Sequence, residues 1–388
     1  MLTISDVELL RSEELRRAIE ENIERDPQRV ALDKRVPCAA LVATQVKYLQ
    51  RARKKLPHLY EARCIIPPRA FEQSSSMESA RRKALCGDTL LDLSCGLGID
   101  AMAAAHNFRR VVAVERDEVL AEVVRYNLTL LGVNNVEVVT ASSEDYVEAT
   151  QESFDWVFID PDRRSDEGKK MVRMEDCSPN VLAMMPCLEH IAKRVAIKLS
   201  PLFDVDEALR LFPCSEVEVV SMSGECKELN IYSRAANPAV RVAAVGLGEW
   251  TFGCEALNLP PCCEPFEPSR WRYMIVPDVA VQKSRVAVAA FGGYASMWSN
   301  NGFAFAEALP AEGVIPGRVY AIDGVAIYRP RELKRELKGV GVEILKRDTR
   351  LSVEEVRRAV GARAGSERTL AITTIAGDNW VIYVKPMP

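Results

Sequence analysis

Histidine is nearly missing from the 388 residues: there are three, His58, His106 and His190, and none is near another. The eleven cysteines are scattered mostly singly, with Cys262-Cys263 as an adjacent pair and no C-x-x-C spacing. A structural zinc site needs several closely spaced Cys or His ligands, so no metal is expected. An odd number of unspaced thiols also argues against a disulfide framework and for a reducing compartment. No apolar run approaches the roughly 20 residues that span a bilayer. The opening stretch MLTISDVELLRSEELRRAIEENIERD carries charges throughout instead of a signal-peptide apolar core. A soluble, cytoplasmic protein is the expectation.

Strong net charge is missing too, at −4 overall. The balance is uneven along the chain. Residues 1–70 hold 14 Lys and Arg against 10 Asp and Glu, and residues 320–388 hold 13 against 9, so both ends are basic and the middle is acidic. The densest basic run, Lys47, Arg51, Arg53, Lys54 and Lys55, reads equally as a solvated helix face or a phosphate contact.

With 48% hydrophobic residues the chain is long enough for more than one core. Residues 4–55 read as two or three helices, with Val7, Leu10, Leu15 and Ile19 at helical spacing and Pro27 and Pro37 as breaks. From Thr89 the texture becomes short apolar runs separated by helical stretches, the pattern of a parallel sheet with crossover helices. Strands are predicted at 89–93, 111–115, 136–140, 156–159, 194–199, 216–221 and 228–233, the last two joined at Gly224 as an antiparallel hairpin. After Asn237-Pro238 come strands near 273–276 and 303–306 with a helix near 281–289. A βαβαββ segment follows from Val319. The fold class is therefore α/β, a Rossmann-like core of seven strands with an N-terminal helical domain and C-terminal α+β modules. The divisions fall at 1–82, 83–237, 238–318 and 319–388.

The most informative stretch is Asp88-Thr-Leu-Leu-Asp92-Leu-Ser94-Cys95-Gly96-Leu97-Gly98-Ile99-Asp100, a buried strand ending in a glycine turn that opens a helix. Gly96 and Gly98 let backbone turn tightly against a ligand. Glu115, seventeen residues past Gly98, closes the second strand where an acid can accept from ribose hydroxyls, with Arg116 beside it. The pattern also satisfies a dinucleotide fingerprint. NAD would lay a pyrophosphate on this turn, and Asp92 and Asp100 would repel it. S-adenosylmethionine brings an ammonium and a sulfonium and no phosphate. The methyl donor is the expected cofactor. Asp100 reads equally as a helix cap, as do Ser142 and Ser143 in the SSED segment where such folds contact adenine. Cys95 reads as a small turn residue, since no histidine is near in sequence to activate it.

After the fourth strand comes Asp160-Pro161-Asp162-Arg163-Arg164. A carboxylate and a proline-fixed carbonyl at a strand's end are two acceptors that can hold an amine with its lone pair turned out. Arg163 and Arg164 serve equally as substrate contacts or as partners of Asp166, Glu167 or Glu175.

At this point the chain resembles class I methyltransferases related to trimethylguanosine synthases, in the bacterial group with a C-terminal THUMP-like domain. The resemblance rests on FEQSSSMESARRKA (71–84), LLDLSCGLGID (90–100), AVERD (113–117), VFIDPDRR (157–164), IKLSP (197–201), VVSMSGECKELNIYSR (219–234) and ELKGVGVEILKRD (336–348). It implies a ferredoxin-like piece at about 255–318. It also implies that Glu72, Gln73 and Ser75 close over the methionine part of the cofactor, that Asp92, Ser94, Gly96 and Gly98 cradle it, and that Asp160 and Pro161 meet the acceptor. Amino-directed relatives carry a second proline and an aromatic where this chain has Asp162 and Arg163, so a stacking ring under the base is missing.

The reading that follows is methylation of a base amine of RNA, guanine by resemblance, with Lys346, Arg347 and Arg350 in the tail as phosphate contacts. Two others stay open. One is an RNA- or ribosome-binding protein that holds the cofactor without turnover, and the other is a methyltransferase for small molecules or protein.

Overall fold

In the computed structural model, residues 2–83, 85–161, 174 and 177–387 are described. The chain forms two compact units, Met1–Lys198 and Leu199–Pro388.

The first unit begins with seven helices, α1 (Ile4–Arg11), α2 (Glu13–Asn22), α3 (Pro27–Leu32), α4 (Ala39–Lys55), α5 (Pro57–Glu61), α6 (Pro68–Gln73) and α7 (Met77–Arg82). Four of them precede residue 56, where two or three were expected. The reason is local: Thr3, Ser12 and Asp26 each accept a backbone N–H as N-caps, and Pro27 takes the first helical position. The basic run on α4 is largely spoken for, with Arg51 paired to Glu72, Arg53 to Glu24, and the Lys55 ammonium donating to the Phe71 carbonyl at 2.7 Å.

A parallel sheet follows as β1 (Gly87–Asp92), α8 (Ile99–Ala104), β2 (Phe108–Glu115), α9 (Glu118–Leu131), β3 (Val136–Thr140), α10 (Ser143–Ala149), β4 (Phe154–Ile159), α11 (Val181–Ile191) and β5 (Ala192–Leu199). The strands lie in the order β3-β2-β1-β4-β5, every pair parallel. The apolar runs of β1, β2, β4 and β5 are buried, with Leu90, Leu91, Val111, Val112, Val157, Ile159 and Val195 at 1% exposure or less, while β3 at the edge is only partly covered. The winding reverses between β1 and β4, which opens a crevice at the carboxyl ends of those strands. Asn127 of α9 ties the Pro-rich connector to this unit, accepting from the Ile65 N–H and donating to the Ile65 carbonyl, both at 2.9 Å.

The second unit opens with α12 (Val205–Leu211) and the hairpin β6 (Ser215–Met222) and β7 (Glu225–Ser233), turning at Ser223 and Gly224 with φ of +54° and +78°. The sheet does not stop at Asn237-Pro238. Strand β8 (Ala239–Val245) pairs parallel with β6, and β9 (Gly248–Gly253) pairs antiparallel with β8.

Beyond them lie β10 (Tyr273–Pro277), α13 (Val279–Lys283), α14 (Ala287–Phe291), β11 (Ser296–Met297), β12 (Ala304–Ala306), β13 (Gly317–Ile327), α15 (Pro330–Leu337), β14 (Gly341–Lys346), α16 (Val353–Val360), β15 (Arg363–Ala364), β16 (Arg368–Ile375) and β17 (Asp378–Pro386). These strands make one sheet, in the order β11-β12-β10-β13-β17-β16-β14-β15. The helix expected at 281–289 is two, separated by Arg285 at φ +64°. Leu333, Leu337, Val356 and Val360 of α15 and α16 pack with Val342, Leu370, Ile372 and Val381. A second cluster gathers Trp271, Met274, Phe303, Phe305, Tyr320 and Ile382. An N-terminal helical region, a Rossmann-like sheet and a C-terminal β/α module are therefore present, as the sequence leads one to expect.

Candidate functional site

The acids singled out in the sequence lie where parallel strands end. Asp92 is the last residue of β1, Glu115 the last of β2, and Asp160 follows β4 directly. Between β1 and α8 the chain turns through Gly96 and Gly98, both left-handed at φ +53° and +79°. Gly98 also packs tightly, since a Cβ there would lie 2.9 Å from Val124 Cγ1. At Gly96 the nearest atom to such a Cβ is the Ser94 carbonyl oxygen at 3.9 Å, which leaves open space beside the turn.

Side chains hold this turn in place. The Glu115 carboxylate accepts the Gly96 N–H at 2.8 Å and the Asp117 N–H at 2.9 Å. Burial raises its carboxyl above the ordinary value, against those two N–H groups. Ser94 Oγ accepts the Asp160 N–H at 2.7 Å, joining the glycine turn to the residue after β4. Asp92 is fully buried; its Oδ1 accepts from the Ser94 N–H at 2.9 Å and hydroxyl at 3.3 Å. Its Oδ2 is buried with no hydrogen-bond partner. Burial pushes the Asp92 carboxyl up to about 7. Burial also pushes the Cys95 thiol well up, which removes the thiolate a nucleophile would need.

Two lysines not singled out in the sequence complete the site. Lys83, just past α7, donates to Asp100 Oδ1 at 2.7 Å with its side chain only 4% exposed. Lys198, near the end of β5, donates to Asp160 Oδ2 and, at 3.2 Å, to Ser75 Oγ. Ser75 Oγ in turn donates to Asp100 Oδ2 at 2.8 Å. Burial acts to raise the Asp100 carboxyl, but Lys83 and Lys198 outweigh it and hold the group down at about 2. At Asp160 the balance tips the other way, and burial raises the carboxyl despite Lys198. The signal for Lys198 was a charge set inside an apolar strand, in VAIKLSP; Lys83 ends a mixed basic run and has no such mark.

The remaining residues fall in different places. The Asp100 side chain goes to Ser75 and Lys83 and does not cap α8, whose N-cap is Gly98. Ser142 caps α10 by accepting the Asp145 N–H at 3.0 Å, while Ser143 donates to the Leu93 carbonyl at 2.7 Å. Glu72 is exposed and paired with Arg51, and Gln73 and Arg116 are exposed. Pro161 is buried beside Asp160. Asp162, Arg163 and Arg164, with Asp166, Glu167 and Glu175, lie outside the described residues. In the second unit Lys346 donates to the Leu351 carbonyl at 2.9 Å, Arg347 is half-buried and donates to Gln282, and Arg350 is exposed.

The donor set suits S-adenosylmethionine. An unsatisfied buried carboxylate oxygen on Asp92 matches an ammonium group, and a glycine turn with open space beside it admits a ligand close to the backbone. Among the described residues no group of three or more His, Cys, Asp or Glu is placed to hold a metal ion.

Comparison with known proteins points to a methyltransferase fold. Residues 317–386 match the THUMP domain-like family, and residues 76–176 match the family described as conserved hypothetical protein 95. An uncharacterised S-adenosylmethionine-dependent methyltransferase of Mycobacterium tuberculosis is 25% identical over 339 residues, covering 83% of this chain and 88% of its own. A tRNA/tmRNA (uracil-C(5))-methyltransferase of Psychromonas ingrahamii is 31% identical over 136 residues, 30% of this chain and 37% of the relative. A candidate methyltransferase from Porphyromonas gingivalis W83 superposes over the full length of both chains with a TM-score of 0.84 and 24% identity. The chain thus has an S-adenosylmethionine-dependent methyltransferase fold with a C-terminal THUMP-like domain.

Proposed function

We propose that the chain binds S-adenosylmethionine and methylates an exocyclic base amine of RNA, guanine being the base that the resemblance to trimethylguanosine synthases implies. The observation that carries this reading is the hydrogen bond from the Asp160 N–H to Ser94 Oγ, which couples the acceptor-side acid to the glycine turn. Asp92, Ser94, Gly96, Gly98 and Glu115 would hold the cofactor, with Ser75, Asp100, Ser142 and Ser143 around it. Glu72, Gln73 and Arg116 are exposed and would join only at the rim.

The bound donor supplies a methyl group: the nitrogen–carbon bond forms as the carbon–sulfur bond breaks, and the electron pair stays on sulfur. The protein's part is placement and proton removal. The Pro161 carbonyl and Asp160 hold the amine's hydrogens, and the Asp160 carboxylate takes the proton that the methylated nitrogen sheds. Arg163 and Arg164, which follow Pro161 after Asp162, would steady a phosphate or stack on the base.

RNA as the substrate is supported by the THUMP-like match and by the uracil methyltransferases that align with part of the chain, whose names specify tRNA or tmRNA. The exposed Lys346 and Arg350 would contact phosphate. A cytoplasmic setting goes with eleven cysteines scattered without disulfide-framework spacing. No helix among the described residues is long and apolar enough to cross a membrane.

The test incubates full-length protein and methyl-labelled donor with total RNA from a strain lacking the gene, followed by mass spectrometry of the nucleosides. Label in an N-methylated base is the expected result. Tight donor binding with no transfer to RNA would replace this reading with that of an RNA- or ribosome-binding protein. Transfer only to protein or metabolites would make the THUMP-like module something other than an RNA-capture domain.

A further inference from the structure

The charged groups around the crevice form a continuous chain. From Asp160 the contacts run through Lys198 to Ser75, on to Asp100 and then to Lys83, with the links described above between 2.7 and 3.2 Å apart from the still closer Asp160 to Lys198 pair. The groups facing Asp160 are Lys198 from β5, Ser94 from the turn, and, acting through charge, Asp100 from α8 and Lys83 from the end of α7; Asp92 from β1 feels its charge in turn. Two carboxylates, Asp160 and Asp100, thus share two ammonium groups. Asp160 Oδ2 is taken by Lys198, and Oδ1 accepts no hydrogen bond among the described residues.

We infer, on the reading of Asp160 as the acceptor-side base, that Lys198 is a positioning residue for methyl transfer: it keeps the Asp160 carboxylate ionised and anchored by Oδ2, so that Oδ1 is the oxygen that receives the amine proton. The geometry gives the physical reason. A half-buried carboxylate with Asp100 near it loses part of its hydration and, without Lys198, would take up a proton more readily, which leaves no base for the amine. A free carboxylate would also rotate, whereas one oxygen fixed to a lysine, itself held by Ser75, presents the other in a constant direction. The lysine does not act as the base. Its ammonium stays protonated throughout, and the proton released from nitrogen ends on Asp160 Oδ1 before leaving to solvent. Stability alone is a weak reason for such a pair, because an ion pair whose carboxylate still reaches solvent contributes little net free energy. A role in holding charge and direction is the stronger one.

The experiment has two arms on the full-length protein. In the first, carboxyl-labelled aspartate is titrated by carbon NMR, with Asp160→Asn used to assign the Asp160 signal. Lys198→Met should raise the Asp160 midpoint by about 1–3 units, the span of an opposite charge at contact distance, and Lys198→Arg should restore most of it. If Lys198→Met does not fold, Lys198→Gln carries the comparison. In the second, labelled transfer to total RNA is followed against pH. Lys198→Met should lower kcat while the Michaelis constant for RNA and the donor affinity stay within about 3-fold, and the acid limb of the profile should move up with the titration. An unmoved Asp160 midpoint in a folded Lys198 variant overturns the inference whatever the substrate is. A moved midpoint with a wild-type protein that never methylates RNA keeps the hold of Lys198 on Asp160 and overturns the RNA reading.

Discussion

At the scale of residues, the crevice sets two acids on opposite courses with pH. Asp92 has its carboxyl raised from 3.8 to about 7, so the folded protein holds that proton more tightly than the unfolded chain does. Its contribution to stability is full below about 4 and is lost as pH rises through 7. Asp92→Asn should therefore gain melting temperature over wild type between pH 5 and 8 in the absence of donor. Donor affinity should behave oppositely, strengthening through pH 7 in wild type as Asp92 ionises, and staying level in the variant. Equal pH slopes in calorimetry of the two proteins would remove Asp92 from the binding site. Asp100, held at about 2, contributes above 3.8 and fades as pH falls towards 2. Its partner Lys83 is nearly inaccessible, and Lys83→Met should cost about 3–5 kcal/mol in denaturant unfolding because it strands a buried carboxylate. A cost under about 1 kcal/mol, the range of a surface pair, would show that Ser75 and Lys198 satisfy Asp100 without it.

Glu115 shows how one residue's role divides once its contacts are seen. The sequence places it for the ribose, and the structure also gives both its oxygens backbone N–H groups that shape the turn. Glu115→Ala should weaken donor binding by about 1.5–3 kcal/mol, the range for a charge-assisted hydrogen bond. Glu115→Gln, which keeps an acceptor for the Gly96 N–H, should lose less. If the two lose equally, the charge and not the turn is what the donor requires.

At the scale of elements, α8 depends on Gly98. An L-residue in its left-handed conformation costs roughly 1–2 kcal/mol, and the 2.9 Å approach to Val124 adds to that. Gly98→Ala should lower stability by at least that amount and loosen donor binding with it; a variant as stable as wild type would mean the turn has another conformation open to it. The strands around this helix were legible because they are apolar runs of β-branched, leucine and aromatic residues ending at charge, as in VVAVERD and FDWVFI before Asp160. Their ends were less so, and β2 starts at Phe108, three residues earlier than the run suggests. The strands β8 and β9 were not legible. They follow a proline and bracket Gly246 in a stretch whose pairing partner, β6, lies some twenty residues back.

At the scale of the molecule, the tail is less separable than its sequence suggests. Strand β13 pairs with β10 on one side and β17 on the other, so removing residues 319–388 would also strip β10 of a neighbour. Charge substitutions are the cleaner probe of RNA capture. Lys346→Gln with Arg350→Gln should raise the apparent Michaelis constant for RNA and flatten its dependence on salt, by about 0.7–0.9 of a log unit for each phosphate no longer neutralised. Arg347→Gln should differ in kind, costing stability, because Arg347 is half-buried against Gln282. Unchanged salt dependence in the double variant would move RNA capture off this strand end.

The sequence alone determined the order of elements, the glycine turn, the acids at the strand ends and the kind of cofactor they suit, because periodicity, turn chemistry and charge are local properties of the chain. What only the tertiary structure decided is which charges meet. Lys83, Asp100, Asp160 and Lys198 come from four separate segments, and hydrogen bonds spanning 17 to 123 positions join them with Ser75. Those contacts follow from parallel strands ending at one edge, and no spacing in the sequence records them.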